Sequence, residues 1–347
     1  MTSVVVDAMS SATEWVAVAE DELTPSSALA MYDERTIVGY GKDGVSARVT
    51  ATTAAEGHAL RRQLPGVDLS RFSELRLSVR SDRRAGVGGL PFTFELRLGS
   101  AESPVTSPGN TWHRLLPVRG QDRWETVRLG IADLDTAVAA AVTQLQLRCV
   151  DSTGPTTLYV DDLIAVRPEL LADADRALEA RFSGMAIGEP AVTVTTVKVR
   201  TPSEPRPAAP ALDIMHINVN FEPDRVREGQ QAADFTADGA RMIPFGDPYS
   251  FDYAITPVAG SRADQAALIE AVLDRLPALD ELCADGERLP VTLLPLGRAE
   301  RYWPAVEGSL PVLLYRVEVR ASASSVVGGP VHATVSEVRV GVDRADE

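Results

Sequence analysis

Four runs of strict alternation, separated by turn-rich connectors, constrain the first half of this chain more than any other feature. ELRLSVRS (74–81), FTFELRLGS (92–100), WETVRLGI (124–131) and TQLQLRCV (143–150) set apolar residues at every second position. Successive side chains of a strand point to opposite faces, so a period of two predicts antiparallel strands with one buried face. The connectors RRAGVGGLP (83–91), ESPVTSPGN (102–110) and DSTGPT (151–156) are rich in the Gly, Pro, Ser and Asn that tight turns use. From residue 14 to about 167 the expectation is a two-sheet β-sandwich.

A different pattern begins near residue 168. PELLADADRALEARFSG (168–184) opens on Pro, repeats apolar residues at Leu171, Ala174, Leu178 and Phe182, and closes on Gly184, which predicts a helix. A strand is expected at 191–200, then a connector with four prolines at 201–211, a strand at 212–221 and a polar loop at 229–242. PYSFDYAITPV (248–258) reads as a strand and 262–276 as a helix, whose stripe is Ala266, Leu268, Ile269, Val272, Leu273 and Leu276. Two late strands are expected at 311–322 and 331–342. A length of 347 residues also favours two cores over one, so the fold class is an all-β domain at 1–167 followed by an α+β domain at 168–347.

The net charge of −15 argues against nucleic acid and against an anionic membrane surface. Lys42 and Lys198 are the only lysines among 34 basic residues, a bias that a GC-rich genome explains as well as a need for planar ion pairs. Cys149 and Cys283 sit in apolar contexts of different domains and read as buried free thiols. MTSVVVDAMSSATEW lacks a basic start and an apolar run of signal or spanning length, which predicts a cytoplasmic product without membrane insertion, released by lysis if at all.

LPGVDLSRFSELRLSVRS (64–81), WETVRLGIADL (124–134) and QLQLRCVDSTGPTTLYVDDLIAV (144–166) resemble, in that order, the jelly-roll carbohydrate-binding modules. That resemblance implies a sandwich and leaves the ligand open, since a fold does not fix a function. LDIMHINVNFEPDRVRE (212–228), PFGDPYSFDYAITPVAG (244–260), DQAALIEAVLDRLPALDEL (264–282) and YWPAVEGSLPVLLYRVEVRA (302–321) resemble the cap or tail-terminator domain of contractile injection systems and contractile phage tails. This second resemblance implies a six-fold ring that ends the tube and sheath, with a neck, collar or baseplate position as the alternative. An extra jelly roll in front departs from the simplest members of that family.

His58, His113, His216 and His332 show no metal-binding spacing, and no nucleophile or phosphate-loop motif is present. No catalytic residues are expected. Asp161 and Asp162 on the last sandwich strand are the candidate ligands of a structural Ca²⁺, together with Glu14, Asp21 or Glu22; their competing role is strand capping or pairing with Arg. Trp112, Tyr32 and Tyr40 are the candidate stacking platforms for a glycan, whereas Trp15 and Trp124 read as core. Arg301, Tyr302 and Trp303 have the residue types of an interface anchor. The sequence therefore points to a non-enzymatic structural subunit whose partners are its own copies, tube and sheath, with a soluble glycan-binding protein as the rival.

Overall fold

The computed structural model describes residues 3–39, 44–188, 191–194, 198–201, 204–228, 230–295 and 311–321. It divides into two compact units, the first being Met1–Arg167 joined by Gln230–Ile243 from much later in the chain. The first unit begins with β1 (Ser3–Asp7), β2 (Trp15–Val18), β3 (Leu29–Glu34), β4 (Ser46–Ala51), β5 (Ala59–Val67) and β6 (Glu74–Ser81). It continues with β7 (Phe94–Gly99), β8 (His113–Leu115), β9 (Glu125–Gly130), helix α1 (Thr136–Ala140), β10 (Val142–Cys149) and β11 (Thr156–Val166). One sheet has the order β3-β4-β11-β6-β9, with β1 also on β11, and the other runs β2-β5-β10-β7-β8. From β5 onward the chain crosses repeatedly from sheet to sheet, as in a jelly roll.

The alternation that marks these strands in sequence sorts their side chains. Leu75, Leu77 and Val79 of β6 and Val127 and Leu129 of β9 face Phe94, Leu96 and Leu98 of β7 and Leu145 and Leu147 of β10 in one buried core. Each such Leu, taken wholly out of water, contributes about 1.5–3 kcal/mol. On β11 the parity would fail after Val160, but one extra residue restores it. Pairing with β6 shifts between Asp161 and Leu163, and Asp162 takes the left-handed φ of 39°, so Leu163 and Ala165 return to the core beside Leu158 and Val160. Helix α1 was not expected. Its signal was Asp135, whose carboxylate accepts from the N–H groups of Ala137 and Val138 ahead of an alanine-rich turn.

The second unit comprises Pro168–Gly229 and Pro244–Ser325. It contains α2 (Leu170–Phe182), β12 (Ala186–Ile187), β13 (Val192–Thr193), β14 (Val199–Arg200) and β15 (Ala211–Phe221). Next in the chain come β16 (Gln230–Thr236) and β17 (Gly239–Pro244), a hairpin that belongs to the first unit. The second unit resumes with β18 (Pro248–Val258), α3 (Arg262–Arg275), β19 (Leu279–Ala284), β20 (Glu287–Leu294) and β21 (Leu313–Arg320). Its sheet has the order β14-β15-β18-β21-β20-β19.

One face of this sheet is apolar and holds both helices. Ala174, Ala177, Leu178 and Phe182 of α2 and Leu268 and Val272 of α3 join Leu212, Ile214, Phe251, Ile255 and Val317 in a second core. Two tyrosines enter that core with their hydroxyls satisfied, as buried phenols require: Tyr253 donates to Asp175 at 2.7 Å and Tyr315 to the Leu276 carbonyl at 2.7 Å. The opposite face carries charge. Asp252, 1% exposed, accepts from Arg316 at 2.8 and 3.1 Å and from Asn220 at 3.0 Å.

Several sequence expectations change here. The polar stretch 229–242 contains a β-hairpin in place of a loop, because its strands are stabilised by docking that periodicity does not reveal. The strand at 191–200 is only the short β13 and β14, with 195–197 outside the described residues. Leu171 and Leu273, counted in the helical stripes, are 38% and 37% exposed. Cys149 is buried as expected, but Cys283 is exposed, since Leu282 and Ala284 on either side of it take the core positions of β19. The strand expected at 331–342 lies outside the described residues.

Candidate functional site

Trp112 and Tyr32, the expected stacking residues that are described, do not form a platform. Trp112 is 6% exposed and belongs to the sandwich core. The Asn110 amide donates to the Leu98 and Ser103 carbonyls at 2.8 and 3.0 Å, which folds the preceding loop onto β7 and leads the indole inward. The Arg114 guanidinium lies over its ring, 5.0 Å from the centroid. Tyr32 is 47% exposed and is covered on one side by Arg48 at 5.2 Å. Tyr40 lies outside the described residues, as do Arg301, Tyr302 and Trp303. Trp15 is core, as expected.

The expected Ca²⁺ ligands also part company. Asp161 is fully buried and accepts from the Gly39 N–H at 3.0 Å, whereas Asp162 is the bulge residue. Glu14 is ion-paired with Arg62, which also holds the buried Asp7 at 2.7 Å. Burial pushes the Asp7 carboxyl up, against the opposing pull of the Met9 N–H and Arg62. Among the described residues no group of three or more His, Cys, Asp or Glu is arranged to hold a metal.

A site that sequence reasoning missed lies on the outer face of the β2-β5-β10-β7-β8 sheet. The strand registers place Val16, Arg61, Gln146, Arg97 and His113 in one row across all five strands. Glu95 pairs with Arg97 at 2.7 Å and with Arg148 at 3.6 Å, and Arg61 pairs with Glu22 at 2.5 Å, so three guanidiniums share two carboxylates beside the amides. A groove of about 100 Å³ opens beside it, lined by Arg61, Gln63, Val105 and Gln144. Gln146, at the centre of the row, is fully buried, and neither its Oε1 nor its Nε2 has a hydrogen-bond partner among the described residues. A buried amide without partners costs about 1–3 kcal/mol unless a ligand or water supplies them. The signal in sequence is the polar half of the alternation in TQLQLRCV.

The β16–β17 hairpin closes another part of the first unit. Asp234, 8% exposed, accepts from the Gly130 N–H at 2.5 Å, pairs with Arg241 at 2.5 Å and lies 3.9 Å from Arg114. The Ala237 N–H donates to His113 at 3.3 Å, and Phe235 packs on Phe92 with ring centroids 5.1 Å apart. Gly130 is required by this approach: a Cβ there would sit 2.6 Å from the Asp234 carboxylate.

No known protein family matches the sequence, and no curated protein does. Among solved structures the chain is similar to the family 11 carbohydrate-binding module from Clostridium thermocellum in complex with a β-1,3-1,4-mixed-linked tetrasaccharide. Identity is 12% over 48% of this chain and 95% of that one, with a TM-score of 0.34. It is also similar to a family 30 carbohydrate-binding module, at 16% identity over 48% of this chain and 89% of that chain, TM-score 0.32. A third is the enzymatically active domain of bacteriophage CBA120 tailspike protein 4, at 7% identity over 46% of this chain and 20% of that chain, TM-score 0.29. By its own strand order the first unit is a two-sheet jelly-roll sandwich.

Proposed function

We propose that the chain is a non-enzymatic structural subunit of a contractile injection system or phage-like tail. The second unit is its assembly element, forming a ring that ends tube and sheath, and the jelly roll is an appended outer domain. One observation carries this: the separate segments that resemble the cap family become β15, β18, α3 with β19, and β21, the parts of one sheet-and-helix unit with a common core. Closed cyclic symmetry lets modest contacts add up, because every subunit gives and receives the same interface. Light scattering of the full chain, alone and mixed with tube and sheath subunits, is expected to show a closed oligomer of defined mass. A monomer under all these conditions would exclude the ring.

The groove beside the polar row, lined by Arg61, Gln63 and Gln144, favours a second activity of the first unit, binding of a neutral glycan on the outer sheet face. Amides both donate and accept, as sugar hydroxyls do, and the arginines of this face are already paired. On a glycan array the wild-type chain is expected to retain at least one glycan class and Gln63→Leu, at the exposed lining of the groove, to lose it, with melting unchanged.

A further inference from the structure

Each sheet of the first unit has a terminal strand, β9 in one and β8 in the other, and β16 of the inserted hairpin packs against both. A terminal strand leaves backbone N–H and C=O groups open, and covering it is one way a protein keeps that edge from pairing elsewhere. The hairpin is the cover on this side of the sandwich. Its strands are held by the Asp234 carboxylate on the Gly130 N–H and by Phe235 on Phe92. Its turn is held differently, by the imidazole of His113 on β8.

A neutral imidazole has one N–H and one bare nitrogen, and its neighbours decide which is which. His113 Nδ1 lies 3.0 Å from the Thr111 carbonyl, which can only accept, so Nδ1 carries the hydrogen. Nε2 lies 3.3 Å from the Ala237 backbone nitrogen, which can only donate, so Nε2 is the bare acceptor. One tautomer of the neutral ring makes both bonds. An imidazolium keeps the Thr111 bond but turns a second N–H against the Ala237 N–H. His113 is partly exposed, so a proton from solvent reaches it. The charged groups around it are mostly paired already: Arg97, its cross-strand partner on β7, with Glu95, Arg114 on β8 with Asp133, and Asp234 with Arg241 on the hairpin. Asp238, next to Ala237 in the turn, is solvent-exposed, where water and salt screen its charge.

We propose that His113 is an acid-sensitive latch on the β16–β17 hairpin: the neutral ring holds the turn down, and protonation frees it and bares the terminal strands of both sheets. The docked hairpin binds the neutral ring, so proton uptake and docking compete. Docking is therefore strongest above the range in which histidines titrate, about pH 5–8, and weakens as the pH falls through it. The latch requires neither a ring of subunits nor a bound glycan.

Hydrogen exchange of the full chain, read by mass spectrometry and corrected for the intrinsic pH dependence of exchange, tests the latch in the hairpin and, as a control, in β10. The range runs from about pH 7.5 down to about pH 5.5, a floor at which ordinary carboxylates stay ionised. In the wild type, opening of the hairpin is expected to rise roughly fivefold to tenfold over this range while β10 keeps its protection. His113→Gln, whose side-chain carbonyl accepts from the Ala237 N–H and takes up no proton, is expected to hold the hairpin equally at both ends of the range. His113→Arg, charged throughout, is expected to leave it open at both. Wild-type protection of the hairpin that does not change with pH, or that changes as much in His113→Gln, would overturn the latch. A matching loss of protection in β10 would overturn it as well, since the whole unit would then be unfolding.

Discussion

Replacing Asp234 by alanine lowers the stability of the first unit by about 3 kcal/mol, toward the low end of the range for breaking a buried ion pair. Arg114 is 5% exposed at its side chain and loses one anionic neighbour, but it keeps Asp133 and the Gly130 carbonyl, which is why the upper end is not reached. At 2–4 °C per kcal/mol for a domain of this size, the corresponding fall in melting temperature is roughly 6–12 °C. Calorimetry on the full chain measures it. Asp234→Asn still accepts from the Gly130 N–H and is expected to lose about half as much. An unchanged melting curve for the alanine variant would mean that the hairpin contributes nothing to the stability of the unit it docks on.

Asp252→Ala is the corresponding lesion in the second unit, with an expected loss of about 3–5 kcal/mol. Its carboxylate receives two bonds from Arg316 and one from Asn220 while 1% exposed. Removing it takes away two bonds that the Arg316 guanidinium donates, while Glu222 stays at 3.4 Å. The sign of a second variant separates a charge effect from a packing effect. Replacing the pair together, Asp252→Leu with Arg316→Met, removes both charges and is expected to recover most of the loss, since a buried ion pair and an apolar pair of similar volume are nearly equivalent in stability. If the double variant unfolds as readily as Asp252→Ala, the network acts through Asn220 and Glu222 rather than through the ion pair.

What could be seen in the sequence follows from how local its cause was. The sandwich strands were legible because β6, β7, β9 and β10 carry their own alternation, and α2 was legible because Pro168 and Gly184 bracket it, Gly184 taking a φ of 65°. The β16–β17 hairpin was not, because QQAADFT and GARMIP have little apolar alternation; what holds them is the Asp234 contact with Gly130, over a hundred residues away in sequence. Trp112 was misplaced for a similar reason, since the turn residues before it suggest an exposed rim and only the Asn110 bonds to β7 show that the loop turns inward. Gln146 has no mark of its own in the sequence because a polar residue in an alternating strand is expected to be solvated, whereas it is fully buried. Asp161 and Asp162 read as a pair of ligands; the bulge that separates their roles comes from strand pairing with β6, which has no local mark.

The hairpin also changes how the two units are joined. Among the described residues the chain passes between them after Arg167, again after Gly229 and again after Ile243, where a simple tandem arrangement crosses once. After a single protease cut near Arg167, residues 1–167 would be held within the described residues by the docked hairpin alone. Tension applied between them would be divided among several backbone segments, and one of those loads would be borne in part by the Asp234 and Phe235 contacts. For the same reason a fragment ending at Arg167 is an incomplete domain: it lacks the strands that cover Phe92 and the Gly130 N–H, and it would present that vacant site to the hairpin of any intact chain it met.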